Sequence, residues 1–280
     1  MRLHGRLDPA EMFPAGLPGY STRFVRVSPH LDIRVIEALG PGTVPALFIH
    51  GWGCSCFVWR RNLPVLAERG IRPFAMDLPG HGLSDKPLGS EYYTPDAMAD
   101  VVLATLDALG LERAAIVAHS LGSVVARRVA VSAPDRVSAL VLLAPVSIGR
   151  VPIVPLAKTI SPRWLEALIP YLTFRWTIAT GLWLSRAGKT ALSAREVDEY
   201  WAPTQFPEMT MAAVRMLHAF NWEPDASAIT TRTLVILAGG DRLVHAEPKS
   251  TYHVVRGAGH NVQEQAPDEV NRLVLSFLTA

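Results

Sequence analysis

Hydrophobic and polar positions follow one another in a repeating strand–loop–helix order over the first half of the chain. Residues 24–27 and 33–36 alternate apolar and polar side chains, which predicts two half-exposed strands in an antiparallel hairpin. Residues 46–49, 72–76 and 114–118 are predicted as further strands. The run at 114–118 is continuously apolar, which is typical of a parallel strand covered on both faces.

Helices are predicted between these strands. The first passes through Trp59 and Leu63, and the last of the three runs from residue 120 to about residue 133. The second begins at Pro95, because proline is well tolerated in the first turn of a helix, and it ends at Gly110. Strands and helices that alternate in this way predict an α/β fold with a mostly parallel central sheet flanked by helices.

The pattern changes between about residues 145 and 224, a stretch rich in Trp, Leu, Pro and Arg that predicts several short helices without strands. A strand pattern resumes at residues 233–237, and the chain closes with a helix over residues 269–278. We therefore predict an α/β core formed by residues 1–144 and 225–280. The segment 145–224 is predicted to be a helical cap inserted into that core.

Composition narrows the class of protein. With 280 residues, 49% of them hydrophobic, the chain can form one large domain with a modest insertion. A formal net charge of +2, without a clustered basic excess, gives no reason to expect a nucleic-acid partner. Cys54 and Cys56 are too close for a good disulfide and too few for a zinc site, so we expect reduced thiols and a reducing compartment.

No membrane-spanning segment is expected. The first thirty residues lack the continuous apolar region of a signal peptide. The most membrane-like stretch, residues 165–184, is interrupted by Pro170 and Arg175. A cytoplasmic location is the resulting expectation. Nothing resembles a metal or nucleotide motif, so no metal and no cofactor are expected, and the sequence does not indicate an oligomeric state.

The sequence Ala118-His119-Ser120-Leu121-Gly122 lies between a predicted strand and a predicted helix. A serine in such a tight turn has its hydroxyl exposed above the sheet, and the small residues on either side let the backbones approach closely. The usual pattern is G-x-S-x-G, and Ala118 replaces its first glycine. Ser120 could instead simply cap the helix. The surrounding loops favour a catalytic nucleophile.

Those loops supply the other parts of a nucleophilic site. His50-Gly51-Trp52-Gly53 follows an earlier strand, and the backbone amides of Trp52 and Leu121 could form an oxyanion hole. Asp241 follows the strand at 233–237, and His260 lies in a glycine-flanked loop further on. The order Ser120, Asp241, His260 predicts a nucleophile, an orienting acid and a base. His50 is expected to be structural.

On these motifs the chain resembles the α/β-hydrolase superfamily over residues from about 24 to 278. The resemblance implies an α/β-hydrolase fold and a serine esterase or lipase-like activity. It also implies that the stretch 77–84, with the sequence DLPGHGLS, is a tight loop in which Asp77 and His81 are structural. The stretch between Asp241 and His260 is shorter than in the family and lacks an apolar stripe, which predicts a loop without a helix.

His253 and His245 remain as alternatives to His260, which is favoured by its glycine-flanked loop. An epoxide hydrolase or haloalkane dehalogenase would need a carboxylate at the position of Ser120, and both are therefore excluded.

The predicted cap is strongly apolar, which favours a small-molecule ester with an apolar acyl chain as the substrate. Such residues could also simply pack the cap on the core. The predicted pocket residues are Trp52, His119, Trp164, Trp183, Phe206, Leu217 and Val244.

Three functions remain open at this point. The first is a carboxylic ester hydrolase. The second is other serine-triad chemistry, namely hydrolysis of a carrier-linked methyl ester, C–C bond hydrolysis or cofactor-free perhydrolysis. The third is a non-catalytic small-molecule receptor, because a fold can keep its pocket and lose its chemistry.

Overall fold

The computed structural model describes residues 5–187, 191–224 and 228–280, which contain one eight-stranded sheet. Its first two strands, β1 (Tyr20–Ser28) and β2 (Leu31–Ala38), form the predicted antiparallel hairpin. The other strands are β3 (Val44–Ile49), β4 (Ile71–Met76), β5 (Ala114–His119), β6 (Val137–Leu143), β7 (Thr233–Ala238) and β8 (His253–Val255).

The strand order across the sheet is β1-β2-β4-β3-β5-β6-β7-β8. Strand β2 runs antiparallel to β4, and every pair from β4 to β8 is parallel. The carboxyl ends of the parallel strands therefore lie along one edge, where ligands bind in open α/β sheets. The loops after β3, β5, β7 and β8 all meet at this edge.

Helices cover both faces of the sheet. The core helices are α1 (Leu63–Ala67), α2 (Pro95–Ala108), α3 (Gly122–Ser132), α9 (Val262–Gln265) and α10 (Pro267–Leu278). Leu47 of β3 packs with α2 and α3 in one hydrophobic cluster, and its neighbour Phe48 packs with α1 and α10 in the other. Helix α2 begins as predicted, because Thr94 accepts a hydrogen bond from the amide of Ala97 and Pro95 occupies the first turn. The α/β class predicted from the sequence is confirmed.

Between β6 and β7 the described chain contains helices and their connecting loops but no strand, and Arg150 forms an isolated bridge with His245, which follows β7. The helices are α4 (Val154–Ile160), α5 (Ile169–Leu172), α6 (Arg175–Ser185), α7 (Ala194–Trp201) and α8 (Pro207–Ala219). We call them the cap helices. Leu217 of α8 and Leu182 of α6 belong to the two core clusters, so the cap helices pack directly on the sheet layer.

Within the described ranges, no helix combines the length and the hydrophobicity that crossing a membrane requires.

Candidate active site

Ser120 lies in a tight turn between β5 and α3. Its backbone φ is 52°, in the left-handed region that residues with a side chain rarely adopt. A Cβ added to Gly122 would lie 2.5 Å from the carbonyl oxygen of His50, so only glycine fits at that position. Ala118 lies within β5 with its methyl group buried, so the departure from G-x-S-x-G is accommodated.

The structure brings Ser120, His260 and Asp241 into one chain of hydrogen bonds. Nε2 of His260 lies 2.7 Å from Oγ of Ser120, and Nδ1 of His260 lies 2.9 Å from Oδ2 of Asp241. His245 instead pairs through its backbone, and His253 is exposed in β8. This arrangement allows a histidine base to activate a serine while a carboxylate orients the ring.

Asp241 is held as a carboxylate. Its second oxygen, Oδ1, accepts hydrogen bonds from the amides of Leu243 at 2.8 Å and Val244 at 3.0 Å. Burial opposes the negative charge, but the hydrogen bond and charge of His260, together with the two amides, lower the pKa of Asp241 below its ordinary value. An ionised Asp241 holds the ring proton on Nδ1, which leaves Nε2 free to take the proton of Ser120.

The loop after β3 lies against Ser120, since a Cβ added to Gly51 would be 2.9 Å from the Cβ of Ser120. Within the described ranges, the backbone amides of Trp52 and Leu121 donate no hydrogen bond to another protein group. Unused amides next to a nucleophile can stabilise an oxyanion. The indole of Trp52 takes no part in this, because its Nε1 donates to the carbonyl of Ala213 at 3.0 Å.

His50 and His81 hold the backbone of the loops around the site. Nε2 of His50 accepts a hydrogen bond from the amide of Leu78 at 3.0 Å, and Nε2 of His81 accepts one from the amide of Gly53 at 3.1 Å. Burial lowers the pKa of both rings, that of His81 to about 3. Both are therefore neutral hydrogen-bond acceptors, in keeping with a structural role.

Asp77 also holds the backbone of these loops, and the two cysteines are buried near them. The carboxylate of Asp77 accepts hydrogen bonds from the amides of Cys56 at 2.6 Å and Leu83 at 2.9 Å, and it pairs with Arg34 at 3.2 Å. Both thiols are free and buried. Burial raises the pKa of Cys54 to about 12, so this thiol stays protonated and is a poor nucleophile.

His119 connects the nucleophile turn to the loop of the base. Its Nε2 lies 3.0 Å from the carbonyl oxygen of His260 and therefore carries the ring proton. Burial and then the proximity of His260 lower the pKa of His119 to about 3, so the ring is neutral. Its other nitrogen, Nδ1, is buried and has no hydrogen-bond partner in the described part of the chain.

A cavity of about 350 Å³ opens beside Ser120 and His260. Cap helices α4 and α6 form part of its wall, and among the described residues no Lys, Arg, Asp or Glu side chain lines it. Four of the predicted pocket residues lie in the wall, namely Trp52, His119, Leu217 and Val244. The remaining lining is predominantly apolar, as in most small-molecule sites.

The other three predicted pocket residues do not line this cavity. Trp164 and Trp183 are 80% and 58% exposed, because they lie on outward faces of the cap. Phe206 packs beneath Lys86, whose ammonium group lies 4.7 Å from the ring centre. Hydrophobic character alone does not show which face of a short helix points towards a cavity.

One end of the cavity is polar, and this feature was not predicted from the sequence. Asn261 donates to Oε2 of Glu264 at 2.9 Å and lies 3.2 Å from the hydroxyl of Tyr200, which donates to the same carboxylate oxygen at 2.7 Å. Tyr200 and Asn261 line the cavity. Asn261 follows His260 directly, which was an available signal. Tyr200 comes from α7 and could be found only from tertiary structure.

The end of α6 packs on the loops of the acid and the base. Residues 239–252, all of them described, contain no helix, as predicted. A Cβ on Gly240 would lie 2.5 Å from the Cβ of Ala187, and the amide of His260 donates to the carbonyl of Ser185 at 2.8 Å. The cap therefore helps to position the catalytic loops.

Comparison with known proteins agrees with the fold. A model of the alpha/beta hydrolase family matches residues 46–273. The chain belongs to this family.

A dihydrolipoyllysine-residue acetyltransferase component of the acetoin cleaving system from Pseudomonas putida is 30% identical over 258 residues, which are 88% of this chain and 66% of that protein. A 2-hydroxy-6-oxononadienedioate/2-hydroxy-6-oxononatrienedioate hydrolase from the same species is 29% identical over 282 residues, 92% of this chain and 96% of that protein. Among solved structures, the epoxide hydrolase CorEH without ligand has a TM-score of 0.77 and 20% identity, covering 93% of this chain and 99% of that one. At that identity the likeness concerns the fold alone.

Proposed function

We propose that this protein is a serine hydrolase that cleaves carboxylic esters with an apolar acyl chain. The observation that carries the proposal is the hydrogen-bonded series Ser120–His260–Asp241, which faces a cavity walled mainly by apolar side chains. A nucleophile, a base and an orienting carboxylate at these distances are what acyl transfer to water requires.

In the proposed cycle, Nε2 of His260 takes the proton of Ser120 as Oγ attacks the ester carbonyl. The amides of Trp52 and Leu121 stabilise the negative oxygen of the tetrahedral intermediate. His260 then protonates the leaving alcohol, and an acyl group remains on Ser120. Water attacks this acyl-enzyme with His260 again as the base, which releases the acid and restores the serine.

The charge of the cavity favours an ester over the substrates named for the Pseudomonas putida C–C hydrolase. Those substrates are dioates, as the name of that protein states, and therefore carry two carboxylates. A buried carboxylate needs a cation or several hydrogen-bond donors. The described lining contains no lysine or arginine, and its polar end is already occupied by internal hydrogen bonds to Glu264.

The nucleophile distinguishes the proposal from the epoxide hydrolases that share the fold. The sequence already argues against epoxide hydrolysis, because Ser120 stands where that reaction would need a carboxylate. A non-catalytic receptor would not need a complete triad with an ionised Asp241, so the geometry gives no support to that alternative.

The test is an assay of p-nitrophenyl esters from acetate to palmitate, with a dienedioate C–C substrate assayed in parallel. We expect turnover of the esters, with kcat/KM rising from acetate to medium-chain acyl groups as the cavity fills. We expect no turnover of the dienedioate. Turnover of the dienedioate without ester hydrolysis would contradict the proposal, and so would the absence of turnover of every ester.

A further inference from the structure

The large hydrophobic side chains that are exposed on this protein concentrate on the cap. Most of those in the described residues lie between residues 153 and 184. Within residues 153–184 the most exposed are Trp164 at 80%, Trp176 at 67%, Ile160 at 64% and Leu172 at 60%. We call the exposed side chains of residues 153–184 the cap face. A concentration of exposed apolar side chains such as this one usually marks a binding site.

Helical spacing separates most of the cap face from the cavity wall. On α4, Leu156 and Ile160 lie one turn apart and are exposed, whereas Val154 and Ala157 line the cavity. Helix α4 is therefore apolar on two faces. The inner face is explained by the cavity, and the outer face has no partner in the described structure.

Helix α6 has the same arrangement. Trp176 and Trp183 lie two turns apart and are exposed, while Ile178 and Leu182 line the cavity. Tryptophan is the residue most typical of the boundary between lipid and water, because its ring is apolar and its N–H is polar.

The cap face also carries net positive charge. Residues 150–187 contain one acidic residue, Glu166, which is paired with Arg215 at 2.6 Å. Lys158 and Arg163 lie among the exposed apolar side chains and make no ion pair within the described ranges. Basic residues at the edge of an apolar surface are attracted to anionic lipid headgroups.

The mouth of the cavity opens in this face. Ile153 and Leu184 both line the cavity and are 54% and 46% exposed, so they lie at its rim. Whatever contacts the cap face is therefore next to the entrance of the site.

We propose that the cap face docks on the surface of an anionic lipid bilayer and that the ester substrate enters the cavity from that surface. Shallow insertion of Trp164 and Trp176 with α4 and α6 lying along the interface would bury the exposed apolar area. A second copy of the chain is a poorer occupant, because a two-fold contact would bring the Lys158 and Arg163 pairs of both copies together. The docking stands on the cap face itself, and the entry of the ester rests on the proposed function.

The docking is tested by flotation with vesicles of phosphatidylcholine alone or of equal parts phosphatidylcholine and phosphatidylglycerol. Ser120→Ala serves as the parent, so that the lipids stay intact. We expect the parent to float with the anionic vesicles. The added changes Ile160→Ser, Trp164→Ser and Trp176→Ser, none of which touches the cavity wall, should lower the partition coefficient at least about tenfold.

The control replaces three exposed hydrophobic residues elsewhere, with Phe24→Ser, Leu39→Ser and Leu88→Ser, and should float like the parent. The charge is tested separately. Lys158→Glu with Arg163→Glu should weaken binding to the anionic vesicles about tenfold or more. Arg113→Glu with Arg256→Glu, which makes the same change in net charge on other exposed sites, should not.

Three results would overturn the proposal: no flotation of the parent, equal losses in the cap-face and control variants, or a dimer in lipid-free solution that the cap-face variant dissociates.

The role of the cap face in substrate entry is tested by measuring ester hydrolysis in the protein that keeps Ser120. There the cap-face variant should keep its activity on a soluble short-chain ester and lose it on a vesicle-embedded one, whereas loss on both would contradict this role. Flotation of Ser120→Ala does not depend on catalysis, so failure of the proposed function would show as absent ester turnover with docking intact.

Discussion

The two oxygens of Asp241 have separate partners. Oδ2 faces Nδ1 of His260, and Oδ1 is fixed by the amides of Leu243 and Val244. The two amides set the direction of the carboxylate, and the carboxylate sets the tautomer of the histidine. The orientation of the base is thus determined by the backbone of a loop that contains no helix.

The change Asp241→Asn should therefore leave the fold intact and lower kcat by about ten-thousandfold, because an amide no longer holds the proton on Nδ1 of His260. The measurement is kcat and KM on the best p-nitrophenyl ester, with thermal unfolding as the check on folding. Asp135→Asn, at an exposed site, is the control. A loss below about tenfold, against the expectation from triad chemistry, would remove Asp241 from the mechanism.

The sequence was sufficient to predict which loop residues the fold brings together around Ser120. Ser120 and Asp241 each follow a predicted strand, and His260 lies in a glycine-flanked loop further on; parallel strands bring such loops to one edge. Trp164 and Trp183 were different, because only the packing of short helices decides whether an aromatic ring faces the cavity or the solvent.

At the scale of elements, α7 is tied to the core by a buried ionic network. Glu196 accepts hydrogen bonds from Arg60 at 2.5 Å and from Arg186 at 3.0 Å, and Arg60 also pairs with Glu264. Burial by itself would raise the pKa of Glu196, but the hydrogen bonds from Ser193 and Arg186 outweigh it and lower the pKa to about 2.

This network makes the free energy of unfolding depend on pH in the acid range. The pKa of Glu196 is lower in the folded chain than its ordinary value of 4.5, so the ionised group stabilises the fold above pH 4.5. That stabilisation is lost as the pH falls towards 2. In Glu196→Gln, the fall in unfolding free energy between pH 6 and pH 3 should be smaller than in the parent by about 1 kcal/mol, after allowance for solvent screening.

Urea titrations at the two pH values measure this difference. Glu68→Gln is the matched control, because Glu68 is exposed and makes no ion pair within the described ranges. Equal acid dependence in Glu196→Gln and the parent would show that the network does not contribute in this way.

The segment between Asp241 and His260 was only partly predictable from the sequence. The absence of a helix between Asp241 and His260 followed from Pro248 and the missing apolar stripe. The packing of Ser185 and Ala187 on that region did not follow, because it joins a cap segment to two distant loops. Contacts of this kind have no local pattern in the chain.

At the scale of the whole molecule, the cavity lies between the reactive edge of the sheet and the cap helices. Its wall is contributed by β5, the cap helices α4, α6, α7 and α8, and the loops that follow β3, β5, β6, β7 and β8. The α/β order and the presence of a helical insertion could be predicted from periodicity. The volume and the polar end of the cavity could not, since they depend on how the cap helices pack on the core.

The cavity should limit the length of the acyl chain. Ala157→Phe adds a ring on the wall of α4, and we expect kcat/KM for long-chain esters to fall at least about tenfold while acetate esters are little affected. Thr159→Phe, on the exposed side of the same helix, is the control. Equal losses on short and long esters would instead indicate damage to the catalytic loops.

The central claim, that Ser120 is the nucleophile, is tested most directly by covalent labelling with a serine-directed fluorophosphonate followed by peptide mass spectrometry. The wild-type protein and Ser123→Ala, which changes the nearby buried serine of α3, should both be labelled at Ser120. Ser120→Ala should take up no label and lose ester turnover. A label on another residue, or turnover that persists in Ser120→Ala, would contradict the account.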